Sequence, residues 1–167
     1  MKIEIERKFL VTGDAWRPAR NGILYRQGYL CTDPERTVRI RLGGGQSILA
    51  VKGKGEGLAR LEFEFPIPAA EAEDLLRHCC LQPTIDKYRY LIPFAGLTWE
   101  IDEFLGENRG LIIAEVELER ADQPVDLPPW VGAEVTADPR YYNACLARRP
   151  FSTWARAVPG NEPEFLL

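Results

Sequence analysis

Apolar and polar residues alternate at period two through most of this chain, as they do in an extended strand with one buried face. In residues 2–11, Glu4, Glu6 and Lys8 fall on one parity while Ile3, Ile5 and Phe9 fall on the other. The same division recurs seven more times. It predicts strands near 2–11, 23–31, 36–42, 47–53, 60–67, 85–93, 97–104 and 111–120. Val38, Ile40 and Leu42 oppose Arg39 and Arg41, and Leu61, Phe63 and Phe65 oppose Arg60, Glu62 and Glu64. Tyr88, Tyr90 and Ile92 oppose Lys87 and Arg89, while Trp99 and Ile101 oppose Glu100 and Asp102. Ala114, Val116 and Leu118 oppose Glu115 and Glu117, and Lys52 shares a strand with Ile48 and Ala50.

Helical spacing is confined to two places. Ala72, Leu75, Leu76, Cys79 and Cys80 predict a helix over 69–81, with Pro68 near its start and Pro83 beyond its end. A second helix is expected from an Asp138 N-cap, through Pro139, to about Arg148. A short helical turn is expected around Asp14 to Trp16. Gly43-Gly44-Gly45 reads as a hairpin tip, and Gly53 to Gly57 and Gly96 read as further turns. None of these glycines forms a GxxxxGK[ST] or GxGxxG phosphate loop. Residues 1–149 are expected to form one domain. Residues 150–167 are a tail whose structure the pattern leaves open.

The 167 residues carry a formal net charge of −4, so no overall basic field recruits nucleic acid, and no nucleic-acid partner is expected. No segment approaches the roughly 20 apolar residues of a membrane span, and the amino terminus reads as a charged strand instead of a signal peptide. Neither a membrane partner nor secretion is expected. Cys31, Cys79, Cys80 and Cys145 show no metal-ligand spacing and read as free thiols in a reducing cytoplasm. His78, the only histidine, reads as a helix-surface or packing residue.

The polar parity is where charge changes the picture. A solvated sheet face mixes signs and includes Ser, Thr, Asn and Gln. Here the charges come in doublets of one sign: Arg39/Arg41, Lys87/Arg89, Glu4/Glu6, Glu62/Glu64 and Glu115/Glu117. A half-buried sheet laced with weak ion pairs is the bland account. The alternative is a mainly β, α+β fold in which eight antiparallel strands close into a barrel. Its lumen is charged, and a few helices partly cover the apolar outside. Acidic and basic walls around one lumen suit a polyphosphate bridged by a divalent cation. An uncovered apolar exterior is compatible with a homodimer.

Carboxylates without His or Cys select hard ions, Mg²⁺ or Mn²⁺, and the doublets Glu4/Glu6 and Glu115/Glu117 are the candidate metal ligands. Alternating arginines suit non-bridging phosphate oxygens. Lys8 is a candidate for compensating charge at a terminal phosphoryl group. Water activation is open to a carboxylate, to a second metal or to Tyr29, for which neighbouring cations must lower the phenol pKa.

Glu4-Ile5-Glu6-Arg7-Lys8-Phe9-Leu10-Val11 resembles the amino-terminal ExExK signature of the CYTH superfamily, the triphosphate tunnel metalloenzymes. The resemblance continues through Gln27-Gly28-Tyr29-Leu30, Val38-Arg39-Ile40-Arg41, Val51-Lys52-Gly53, Glu62-Phe63-Glu64, Lys87-Tyr88-Arg89-Tyr90, Trp99-Glu100-Ile101-Asp102 and Ala114-Glu115-Val116-Glu117-Leu118. It ends with Glu134-Val135-Thr136 and Arg140-Tyr141-Tyr142-Asn143, covering roughly residues 1–149. It implies a tunnel that binds a small-molecule triphosphate with a divalent metal. Lys8, Arg39, Arg41, Lys52, Lys87 and Arg89 then map to phosphate-binding positions. Glu4, Glu6, Glu115 and Glu117 map to metal-binding positions, with Glu62, Glu64 and Asp102 as further acidic site residues. The short chain looks most like bacterial short-form inorganic triphosphatases, which cleave tripolyphosphate to pyrophosphate and phosphate, with action on nucleoside triphosphates also in view. A class IV adenylyl cyclase, a thiamine triphosphatase and a non-catalytic polyphosphate-binding module are the competing readings.

Overall fold

A computed structural model describes residues 2–154. The alternating segments form β1 (Lys2–Val11), β2 (Ile23–Asp33), β3 (Arg36–Gly43), β4 (Gln46–Glu56), β5 (Ala59–Pro66), β6 (Ile85–Phe94), β7 (Leu97–Phe104) and β8 (Ile112–Glu117). Every neighbouring pair is antiparallel, and the ring runs β1-β5-β4-β3-β2-β6-β7-β8 and back to β1. Closure rests on β1. One edge pairs with β8 from Glu6↔Glu117 to Leu10↔Ile113, and the other pairs with β5 from Lys2↔Glu62 to Ile5↔Ala59.

A ninth strand, β9 (Val131–Glu134), takes the part of that second edge beyond β5, through Phe9↔Glu134 and Val11↔Val131. Four residues without alternation, just after a Pro-Pro pair, gave no strand signal. The expected turn over Gly53 to Gly57 is mostly strand. β4 continues to Glu56 across a register shift between Lys52 and Gly55, and only Gly57-Leu58 turn the chain. At the other hairpin tip the glycines are needed, since Gly44 and Gly45 have φ of 61° and 76°.

The first helix, α1 (Ala69–His78), ends three residues before the expected Leu81. Cys79 leaves helical geometry, and the Cys79 and Cys80 N–H groups both close on Leu75 O. The second expected helix is broken in two. Asp138 caps a 3₁₀ turn at Pro139–Tyr141, Tyr142 is extended, and α2 (Asn143–Arg148) starts afresh. The Tyr142 hydroxyl donates to Thr136 O at 3.0 Å, which holds the chain at that break. Near Asp14 there is a single turn closed by Arg17 N–H to Asp14 O, with no helix.

Three apolar clusters fix the barrel. Outside β6, β7, β8 and β1, Trp99 packs on Phe9 and Trp130, with Trp16 on Tyr90. Outside β2, β3 and β4, α1 covers Ile40 with Ala72, Leu76 and Cys80. Gly28 permits this approach, because a Cβ there would meet Cys80 at 2.8 Å. The third cluster lies on the lumenal parity. Tyr29, Ile85 and Ile113 meet Leu146 and Ala147 of α2, so α2 closes one end of the interior. Phe151 and Trp154 pack on that cluster, and Phe151 N–H donates to Asn108 Oδ1. The first residues beyond 149 therefore belong to the folded body, and the rest of the expected tail, 155–167, lies outside the described residues. Ile3, Leu61, Phe63 and Phe65 form an exposed apolar stripe over β1 and β5. Among the described residues no helix is long and apolar enough to cross a membrane. All four cysteines are free.

Candidate active site

Residues directly opposite one another in antiparallel strands share a face, and the register carries one parity around the ring. Lys8 opposes Glu115, Glu115 opposes Glu100, Arg89 opposes Asp102, Lys52 opposes Glu62 and Gln27 opposes Arg41. That parity points inward, around a cavity of about 220 Å³ whose wall holds seven basic and seven acidic side chains among the described residues. The charges are sorted into arcs. β6, β3 and β4 supply Lys87, Arg89, Arg39, Arg41 and Lys52, with the neutral Gln27 of β2 between them, while β5, β1, β8 and β7 supply the glutamates. Lys2 and Lys8 are the cations set inside the acidic arc; Lys8 Nζ lies 2.6 Å from Glu6 and 2.5 Å from Glu115.

The arcs pair where they meet. Lys52 holds Glu4 at 2.5 Å and Glu62 at 3.3 Å. Arg89 reaches Asp102, Glu100 and Glu115. Away from these seams the contacts loosen. Arg41 meets Glu64 at 3.2 Å, and Arg39 is 3.8 Å from Glu62. The inward small residue Ala50, opposite both Arg39 and Glu64, leaves room for that arginine to reach across.

A family model described as the CYTH domain matches residues 2–144. The chain belongs to the CYTH domain family. An inorganic triphosphatase of Acetivibrio thermocellus is 48% identical over 151 residues, spanning 90% of this chain and 97% of that protein. An inorganic triphosphatase of Nitrosomonas europaea is 37% identical over 152 residues, spanning 86% and 96%. The crystal structure of the inorganic triphosphatase NE1496 superposes with a TM-score of 0.63 at 34% identity, covering 88% of this chain and 95% of that one.

Of the candidate residues in this CYTH domain, two stand apart from the cavity wall. Asp102 shares the inward parity but has no solvent exposure, lying behind Lys87 and Arg89, which it grips. Tyr29 lies in the apolar cluster beneath α2. It borders a second chamber of about 510 Å³ that shares Glu4, Glu6, Lys8, Arg39, Lys52 and Asn143 with the first and adds, among others, Tyr142, Leu58 and Pro34. All the other candidates line the cavity. So do Lys2, Gln27, Glu100 and Asn143, which were not singled out as site residues. Parity marks the first three. Asn143, which opens α2, carried no such mark.

Burial and charge set the protonation states together. Burial works against the Lys8 ammonium, but Glu115 and Glu6 outweigh it and hold its pKa above the ordinary value. Burial likewise opposes the Glu115 carboxylate, and Lys8 and Arg89 overcome it, keeping that pKa well below the usual range. Lys87 goes the other way. Burial, reinforced by Arg89, pushes it down to about 8 despite Asp102. Burial raises the Tyr29 phenol, against the pull of Arg39 and Lys8. Burial and the neighbouring Arg39 lower Arg41.

The donor set fits a hard divalent cation, since every acidic group at the wall is a carboxylate. The wall is electrically balanced. A triphosphate, with roughly four to five negative charges near neutral pH, needs added positive charge to enter it. Among the described residues no three acidic side chains converge on one point. Instead Glu4 is held by Lys52, Glu6 and Glu115 by Lys8, and Glu117 by Lys2.

Proposed function

We propose that this chain hydrolyses inorganic triphosphate to pyrophosphate and phosphate with the help of a divalent metal, Mg²⁺ or Mn²⁺. The observation that carries the reading is the enclosed basic arc facing an acidic arc across about 220 Å³, with no aromatic or aliphatic side chain among the described residues of its wall. The names of the two relatives point the same way.

In the reaction, water oxygen bonds to the terminal phosphorus. The bridging P–O bond breaks with its electron pair leaving on pyrophosphate, and the surplus proton passes to a phosphate oxygen or to solvent. Such a transition state asks for positioning and charge neutralisation more than covalent chemistry. Arg39, Arg41, Lys52, Lys87 and Arg89 bind non-bridging oxygens from one side. Asp102 fixes Lys87 and Arg89 from behind. Lys8, kept protonated by Glu6 and Glu115, faces the terminal phosphoryl group from the acidic side. Glu4, Glu6, Glu115 and Glu117 would hold the metal, which supplies charge compensation and a more acidic water when bound. Tyr29 enters as a proton-bearing phenol near Arg39, because burial disfavours its phenolate. Four free thiols agree with a reducing, cytoplasmic setting.

The second chamber favours one further reading, slower hydrolysis of nucleoside triphosphates, since its partly apolar wall adjoins the same charged groups. The test is a substrate panel of tripolyphosphate, ATP, thiamine triphosphate and pyrophosphate with Mg²⁺ or Mn²⁺, reading phosphate and cyclic AMP. Fastest phosphate release from tripolyphosphate is expected. Cyclic AMP from ATP would make the chain a cyclase, and tight binding without turnover would make it a binding module.

A further inference from the structure

Among the described residues, the buried side-chain atoms without a hydrogen-bond partner are Gln27 Nε2 and Oε1, Arg39 Nε, Asn143 Oδ1 and Trp99 Nε1. All but the last belong to residues on the cavity wall. Gln27 is the extreme case. Its side chain has no solvent exposure and neither amide atom is satisfied, so exchanging N and O by a flip changes nothing. It stands in the middle of the basic arc, opposite Arg41 on β3 and Ile85 on β6, away from both seams where the arcs pair.

A buried amide with both ends unmet destabilises the empty protein, and an apolar side chain of the same length would not. Packing therefore gives no reason for glutamine here, while a ligand does. Lys and Arg are donors only, so Gln27 Oε1 brings to the basic arc an acceptor that no Lys or Arg supplies. We propose that Gln27 is a substrate-contacting residue: Nε2 donates to a phosphoryl oxygen and Oε1 accepts from the attacking water, orienting it toward the phosphorus. The amide takes no proton; the water's surplus proton leaves as described above. This inference rests on the triphosphatase reading.

The experiment compares full-length parent, Gln27→Met and Gln27→Glu. It measures melting temperature without ligand, kcat and KM for tripolyphosphate with Mg²⁺, and calorimetric binding of a non-hydrolysable imido-triphosphate. Gln27→Met should melt at or above the parent temperature, because the unmet amide is gone. It should also lose about 10- to 100-fold in kcat and bind the analogue about tenfold more weakly. Gln27→Glu should also melt no lower, pairing with its basic neighbours, and bind the analogue more weakly still. A Gln27→Met protein that melts several degrees lower with kcat and KM unchanged overturns the proposal and makes the amide structural. If the parent binds the analogue but hydrolyses nothing, the activity reading fails, and the two affinities still decide the contact. Equal affinities overturn it. A parent that does neither overturns both.

Discussion

Arg89 and Asp102 face each other directly across β6 and β7, and the guanidinium delivers Nε and Nη2 to the two carboxylate oxygens at 2.7 Å each. Lys87 adds Nζ to one of those oxygens at 2.5 Å. One carboxylate without solvent exposure thus aims two cations into the lumen. Asp102→Asn leaves those cations buried against each other. Breaking a buried pair in this way should cost about 3–5 kcal/mol, read by chemical denaturation, with triphosphate turnover lost as well. Unchanged stability would show that Asp102 carries no such burden.

The same pair sets a pH dependence. In the free protein Lys87 loses its charge as pH rises through about 8, so kcat/KM should fall above that pH. A bound polyanion favours the ammonium, so the basic limb of kcat should lie at higher pH. For stability, the folded pKa lies below the unfolded value. The cost of keeping Lys87 charged is then fully present below pH 8 and is relieved as pH rises toward about 10.4. Coincident limbs in the two profiles would contradict the assignment.

Arg41→Ala and Lys8→Ala should differ in kind. Arg41 has one loose ion-pair partner among the described residues, Glu64, a contact worth about 0–1 kcal/mol, and its guanidinium lies 5.8 Å from the centre of the Tyr25 ring. Its loss should leave melting unchanged while cutting turnover at least about 100-fold. Lys8→Ala strips a buried cation from Glu115 and should lower melting as well as activity. Glu6, more exposed than Glu115, should behave like Arg41 when replaced by Ala. Melting curves beside phosphate-release assays separate these outcomes, and full turnover in all three variants would remove the site.

Excess EDTA should stop phosphate release, with recovery on adding Mg²⁺ or Mn²⁺. Zn²⁺ should rescue poorly, as the wall offers neither imidazole nor thiolate. Undiminished turnover in EDTA would remove the carboxylate ligands from the reaction.

Ala95 occupies the left-handed region, with φ of 48°, in the two-residue turn joining β6 to β7. Ala95→Asn should stabilise the exposed hairpin by about 1 kcal/mol, seen as a higher denaturation midpoint without a change in activity. A lower midpoint would mean that the methyl group makes a contact worth more than the backbone strain.

The barrel was legible because parity is a local signal: Arg39/Arg41 and Glu115/Glu117 show their face without reference to any partner. β9 was not legible, since Val131–Glu134 is extended only because β1 has an open edge beyond Ile5. The break at Tyr142 depends on a hydroxyl reaching Thr136 O, which no helical period encodes. At the site, parity pointed to the charged residues but could not separate Asp102, behind the wall, from Glu100, on it. Nor could it reveal that Gln27 has no partner, which depends on what the other strands bring near.

Sharing β1 between β5, β8 and β9 has a consequence for how the molecule comes into being. Lys8 and Glu115 are 107 residues apart, and the ring shuts only when strands made much later than β1 return to it. Contacts that distant slow folding, and until they form, neither the enclosure nor its inner charges exist. Catalytic competence should therefore arrive in a single late event, never in fractions on a nascent or shortened chain.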